Sequence, residues 1–230
     1  MRQLIVLGGG GFSMEPNRAL DRYFLAAAGR PRPRICFLGT ASGDAESYRY
    51  KFYEAMAGLD AQATHLSLFT PPVADLASFL LGQDAIFVGG GNTRSMLALW
   101  REWGVDGILR TAYDRGIVMG GISAGMICWF SWGITDSIPG ALTPLRGLGW
   151  LPGTACPHYD GEAARRPAFH RLVASGAVPE GYAADDGAAL HFVDESLQQV
   201  VSSHPAARAY RLGLADGEVR ETPLATRLLD

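Results

Sequence analysis

The five residues Gly121-Ile122-Ser123-Ala124-Gly125 follow the apolar run Ile117 to Gly120 and precede the apolar segment Met126 to Phe130. This spacing puts a serine where a strand turns sharply into a helix, the arrangement of a nucleophile elbow. Glycines flank such a turn because it brings backbone against backbone and leaves no room for a side chain. The turn exposes the serine Oγ at a helix N-terminus, where free N–H groups stabilise developing negative charge. A plain packing turn with a helix-capping serine would read the same over five residues. The rest of the chain must separate the two.

A serine hydroxyl attacks poorly until a base takes its proton, and five histidines are available. His65 ends a strand-like run, His170 lies in a helical segment, His191 falls inside an alternating strand and His204 precedes Pro205 in a turn. All four settings are ordinary structural ones. His158, in Cys156-Pro157-His158-Tyr159-Asp160, closes a short strand-like run and opens a polar loop, which suits a general base. A carboxylate should hold that imidazole in the correct tautomer. Asp136, in Gly133-Ile134-Thr135-Asp136-Ser137, lies between the serine and the histidine and is the expected acid, with Glu162 as the substitute. The competing reading of Asp136 is a turn-forming aspartate.

A second glycine loop, Gly89-Gly90-Gly91-Asn92-Thr93, also follows an apolar strand and opens a helix. Its N–H groups, with that of Ala124, could form an oxyanion hole, and Asn92 and Thr93 would then face the substrate. A phosphate site fits less well, because no Lys follows as a P-loop requires and the spacing is not GxGxxG.

The elements that must position these groups are legible as alternating strand-like and helical segments. Strands are expected at Leu4 to Leu7, Ile35 to Leu38, Ala61 to Leu66, Ala85 to Val88 and Ile117 to Gly120. Helical spacing occupies Asn17 to Ala28, Glu46 to Ala57, Val73 to Leu81, Thr93 to Trp100 and Val105 to Asp114. Such alternation makes a parallel sheet with crossover helices, whose ligands bind at the carboxyl ends of the strands. The loops Gly8 to Gly11, Gly89 to Gly91 and Gly120 to Gly125 should therefore share one rim. After Phe130 the chain reads as loops (Ile138 to Thr154), one helix (Arg165 to Ser175) and four short strands from Ala188 to Thr222, an antiparallel extension of the sheet.

Length and composition, 230 residues that are 48% hydrophobic and 19% charged, predict one globular α/β domain over residues 1–230. The net charge of −3, with no Lys/Arg run, argues against nucleic acid. Cys36, Cys128 and Cys156 are odd in number and lack CxxC spacing, so they are read as reduced core residues of a cytoplasmic protein. No segment reaches the ~20 apolar residues of a membrane helix. No metal or organic cofactor is called for, and a homodimer is compatible with the reading.

With GGGNT, GISAG, TDS and PHYD in that order over Gly89 to Asp160, the chain resembles the peptidase E family of serine peptidases, which also includes cyanophycinases. The N-terminal glycine loop and Asp185-Asp186-Gly187-Ala188-Ala189-Leu190 add to the resemblance. It implies a flavodoxin-like α/β sandwich of three layers related to class I glutamine amidotransferases. It implies a triad carried by Ser123, His158 and Asp136, with Gly90 or Gly91 joining Ala124 at the oxyanion. It also implies a small peptide substrate, an Asp-X dipeptide for peptidase E proper, with a cyanophycinase-like or other peptidase or amidase of the same family and different specificity as the alternative. A free α-amino group would want a carboxylate from Asp160, Glu162, Asp185 or Asp186. An aspartyl side chain would want a guanidinium, for which Arg165 and Arg166 are placed, unless they begin a solvated helix. Three readings compete: an α/β-hydrolase esterase, whose acid and histidine normally lie much farther along the chain; an amidotransferase, which would need cysteine at the elbow, whereas Cys128 falls in the following segment; and a silent binding module on the same fold.

Overall fold

In the computed structural model, which describes residues 1–230, the five expected apolar runs become β1 (Gln3–Leu7), β2 (Arg34–Leu38), β3 (Gln62–Leu66), β4 (Ala85–Val88) and β5 (Val118–Ile122). Between them lie α1 (Ala19–Ala26), α2 (Glu46–Ala57), α3 (Leu76–Leu81), α4 (Thr93–Trp103) and α5 (Val105–Asp114). The second half forms α6 (Ala124–Ile127), β6 (Phe130–Thr135), β7 (Thr143–Arg146), β8 (Leu151–Cys156), α7 (Arg165–Ala174), β9 (Gly181–Ala184), β10 (Ala188–Val193), β11 (Ser196–Ser202), β12 (Ala209–Ala215), β13 (Glu218–Pro223) and β14 (Thr226–Leu228).

Strands covered on both faces must be apolar at successive positions, and alternation then assigns each residue to a face. Leu4, Val6, Leu38, Val88 and Met119 face α3 to α6, where they meet Met96, Trp100, Leu109 and Met126. Ile5, Leu7, Phe37, Phe87 and Val118 face α1 and α2, meeting Leu20, Phe24, Phe52 and Met56. Local chemistry sets the helix ends. Asn92 accepts from the Ser95 N–H at the start of α4, and Asp75 accepts from the Ser78 N–H at the start of α3. Gly104 ends α4 in the left-handed conformation.

The main sheet has the order β14-β11-β10-β1-β5-β4-β2-β3. β1, β5, β4, β2 and β3 are mutually parallel, so the glycine loops after β1, β5 and β4 emerge on one rim from adjacent strands. β10 and β11 extend the sheet antiparallel from β1, as expected, and β14 adds a parallel edge strand.

The C-terminal strands do not all join that extension. A second sheet runs β13-β12-β9-β8-β6-β7. Phe130, Leu151, Ala155, Ala184 and Ala209 share the core on the α3-to-α6 side of the main sheet. The other face of the second sheet is covered by Phe169 and Val173 of α7, against Ile134, Cys156 and Leu212. The expected loop from Ile138 to Thr154 thus contains strands. The apolar segment after the elbow is also not one long helix. Beyond Ile127 the carbonyls of Cys128, Trp129 and Phe130 accept from Leu148, Trp150 and Gly149 at 2.7, 2.8 and 3.1 Å, and strand pairing replaces the helical ladder.

The elbow glycines are required by contact. A Cβ at Gly121 or Gly125 would stand 2.4 or 2.2 Å from the Val88 carbonyl oxygen. Backbone cannot yield as a flexible side chain can, so Gly125→Ala should cost about 2 kcal/mol or more, in the range of core overpacking. Urea unfolding of the two proteins measures this; an unchanged midpoint would mean that the turn tolerates the added methyl.

Candidate active site

Ile122 at the end of β5 pairs with Leu7 at the end of β1. The next residue, Ser123, donates its N–H to the Leu7 carbonyl at 3.2 Å and adopts φ +58°, ψ −109°. A non-glycine residue in that region carries roughly 1–3 kcal/mol of strain, held here by its neighbours. The Ser123 carbonyl accepts from Met126 and Ile127 at 2.8 and 2.9 Å, which starts α6 immediately after the turn. The serine side chain is partly exposed while the rest of the elbow is buried.

The β4 loop lies beside it. A Cβ at Gly90 would be 3.2 Å from Ser123 Cβ and 3.7 Å from its Oγ. The Gly90 N–H, expected at the oxyanion, instead donates to the Tyr48 hydroxyl at 3.2 Å. The Gly91 N–H donates to no protein group, and Gly91 has φ +135°, with the Ala41 carbonyl oxygen 2.2 Å from where a Cβ would stand. Asn92 and Thr93 are drawn into structure. Asn92 caps α4 and donates through Nδ2 to the Ser137 carbonyl at 2.9 Å, and Thr93 is buried.

His158 is anchored one residue further along β1. Its N–H donates to the Gly8 carbonyl at 3.3 Å, and its backbone is left-handed, φ +51°. Its Nδ1 lies 2.6 Å from Oδ1 of Asp186. An ionised carboxylate only accepts, so the pair puts the ring proton on Nδ1 and leaves Nε2 as the basic nitrogen. Asp186 is placed by three contacts: Gly9 pairs with it beside the sheet, the Gly187 N–H donates to the Gly9 carbonyl at 3.1 Å, and its own N–H donates to Asp160 Oδ1 at 2.8 Å. A Cβ on Gly9 would stand 1.8 Å from Asp186 Oδ1 and 3.0 Å from His158 Nδ1. Only a glycine there lets the imidazole and carboxylate meet.

The carboxylate that the structure pairs with His158 is not the expected one. Asp136 is exposed and its nearest charged partner is Arg165, 3.8 Å away, while the His158 ring nitrogen is taken by Asp186. Glu162, the substitute, pairs with Arg165 Nε at 2.7 Å. Asp136 sits just past the end of β6, and β6 carries it toward α7. In the sequence Asp186 belongs to a stretch that adds to the resemblance and is a candidate partner for a substrate amine, not for His158. Its signal was available: Asp-Asp-Gly stands directly before an apolar run that could pair with β1.

The two arginines differ from each other: Arg166 is exposed at the start of α7, as the solvated reading expects, whereas Arg165 is not. Arg165 is only 2% exposed and donates to Glu162 and to the Ile134 carbonyl, the latter at 2.7 Å, so it is neither solvated nor free. Arg166 lies 4.6 Å from the Tyr159 ring centroid and 3.0 Å from Glu221. The other histidines are engaged: His65 with Tyr53, His170 with Glu221, His191 with Tyr23, and His204 with Glu15. No three His, Cys, Asp or Glu side chains are grouped to hold a metal ion, and no helix is long and apolar enough to cross a membrane.

The strand order and the elbow define an α/β fold of the kind seen in peptidase E structures. Over 98% of its length the chain superposes on a peptidase from an acI-B1 Actinobacterium, TM-score 0.71 at 15% identity, covering 95% of that chain. It superposes similarly on a Putative Peptidase E Protein from Listeria monocytogenes EGD-e, TM-score 0.59 at 17% identity, covering all of that chain. The model of peptidase family S51 matches residues 4–200, and the Uncharacterized peptidase YgaJ of Bacillus subtilis (strain 168) is 56% identical over the full length of both chains. The protein belongs to peptidase family S51 and is thereby a peptidase, a hydrolase.

Asp185, next to the paired acid, is 3% exposed. Its Oδ2 accepts from the Arg208 N–H at 2.9 Å and the Tyr210 hydroxyl at 3.2 Å, while Oδ1 has no partner. Burial pushes its pKa up from 3.8 to about 6. The folded state therefore holds this proton more tightly than the unfolded state, and the stability it contributes is full below about pH 4 and is lost as pH rises through about 6. Asp185→Asn removes the titration, so the gap in Tm between variant and wild type should widen in the variant's favour from pH 4 to pH 7. A gap independent of pH would show that burial does not act on this carboxyl.

Proposed function

We propose that the protein is a serine peptidase of short peptides, with an Asp-X dipeptidase preference, working through an acyl-enzyme on Ser123. The observation that carries this reading is the His158–Asp186 pair, 2.6 Å apart and hung on the β1 end next to the strained Ser123 turn. His158 Nε2 takes the Ser123 proton as Oγ attacks the peptide carbonyl, then returns it to the leaving amine. Asp186 holds the ring and stabilises the imidazolium. The amides of Gly91 and Ala124 receive the oxyanion, since Gly90 is occupied by Tyr48. Water then enters the same path and releases the acid product. No step calls for a metal or an organic cofactor. The family assignment supports the peptidase class, and the Listeria relative's description as a peptidase E supports the specificity. Three buried, unpaired cysteines suit a cytoplasmic setting.

Steady-state hydrolysis of Asp-X, Glu-X and Ala-X dipeptides and their blocked analogues tests this. Ser123→Ala should lose at least ~10³-fold in kcat, and Asp186→Asn roughly 10²- to 10⁴-fold, because the members act as a unit. Asp136→Asn should stay close to wild type. A full-rate Asp186→Asn protein alongside an inactive Asp136→Asn protein would return the acid role to Asp136. Absence of hydrolysis and of a Ser123 adduct with a serine-directed phosphonate would favour a binding module.

A further inference from the structure

With Arg165 and Arg166 engaged elsewhere, the proposed preference needs another cation near the elbow. Lys51 is the only lysine in the chain. It lies in the N-terminal half of α2, where residues three and four apart share a face, and with Ser47 and Tyr48 it lines an open cavity of about 330 Å³ that Ser13 of the β1 loop also borders. Tyr48 joins this cavity to the elbow, because its hydroxyl accepts the Gly90 N–H and Gly90 lies against Ser123. The Lys51 ammonium has no carboxylate partner; its one bond is a long one, 3.4 Å, to the Ser13 carbonyl. Of the acids on these segments three are committed, and Glu54, three residues beyond Lys51 in α2, is exposed and makes no ion pair with it. Asp44 accepts from Ser67 Oγ and the Leu68 N–H, Glu46 pairs with Arg49, and Glu15 accepts from the Gly11 N–H and Ser203.

An exposed ammonium with no carboxylate bonded to it, in a cavity that Tyr48 links to the elbow loop, is suited to a carboxylate. We infer that the cavity lined by Ser13, Ser47, Tyr48 and Lys51 is the subsite that recognises a carboxylate of the peptide, with Lys51 as its ion-pair partner. The inference rests on the peptidase reading of Ser123. Two carboxylates are available on an Asp-X dipeptide, the aspartyl side chain and the C-terminal group, and both present the same chemistry.

Because Lys51 is the sole lysine, its reactivity can be followed without turnover. Ser123→Ala protein is acylated with an N-hydroxysuccinimide ester in the presence of saturating Asp-X, Asp-X amide, Ala-X or Ala-X amide, with the terminal amine as internal reference. Asp-X should slow Lys51 acylation several-fold and Ala-X amide should not. Protection by Asp-X amide but not Ala-X assigns the side chain, and protection by Ala-X but not Asp-X amide assigns the C-terminus. In hydrolysis, Lys51→Met should lower kcat/KM roughly tenfold more on the recognised substrates than on the peptide lacking that carboxylate, and Lys51→Arg should recover most of the difference. Equal acylation with all four peptides, or a Lys51→Met loss that is uniform across them, overturns the inference. Protection of Lys51 in a protein whose wild type cleaves nothing would keep the subsite and remove the peptidase reading.

Discussion

The end of β1 is the constraint on which the site depends. Three consecutive residues there, Leu7, Gly8 and Gly9, offer carbonyls to Ser123, His158 and Gly187 in turn. The three chain segments that supply hydroxyl, imidazole and carboxylate are separate in sequence, and each donates a main-chain bond to the same strand terminus. Main-chain groups leave little rotational freedom, so the relative placement of the side chains follows from backbone rather than from long flexible contacts. The cost falls on residue type. Gly8 and Gly9 could not carry a Cβ without meeting the Ala184 carbonyl oxygen at 2.2 Å or the Asp186 carboxylate at 1.8 Å.

The strain at Ser123 and His158 belongs to the same design. Both take positive φ, a conformation that an L side chain leaves unless its surroundings hold it. For Ser123 the restraint is a buried strand on each side and the start of α6; for His158 it is the Gly8 carbonyl and the carboxylate on its ring. A site held this way is preorganised: little rearrangement is needed when charge develops, which is where electrostatic catalysis gains most.

Much of this was legible in the sequence because it depends on short-range pattern. The five parallel strands and their helices follow from apolar runs bounded by glycine, and the rim follows from where those glycines fall. What was hidden depends on pairing across long separations. β9, Gly-Tyr-Ala-Ala, has neither alternation nor branched residues, and it is a strand only because β8 and β12 flank it. Met126 to Phe130 is apolar at every position, which suits helix or buried strand equally, and the segment from Gly147 to Leu151 decides the outcome by taking the carbonyls. The pairing of His158 with Asp186 rather than Asp136 was hidden for the same reason. Proximity in chain order to the serine is a weak guide when a six-residue strand intervenes, whereas β10's pairing with β1 brings Asp186 beside His158.

That pairing also bears on ancestry of mechanism. In α/β-hydrolase esterases the chain order is serine, acid, histidine. Here the imidazole and carboxylate that pair, His158 and Asp186, follow Ser123 in the order histidine then acid, so an elbow of the same local shape is accompanied by a pair from different parts of the fold. Asp136, which would have given the esterase order, is engaged instead with Arg165, and Arg165 ties Glu162 and the Ile134 carbonyl together beneath the loop that carries His158. A buried guanidinium is expensive to desolvate and is retained only where its bonds are satisfied. Through Arg165, Glu162 of the loop that carries His158 is tied to the end of β6, so the loop is fixed to the second sheet as well as to β1.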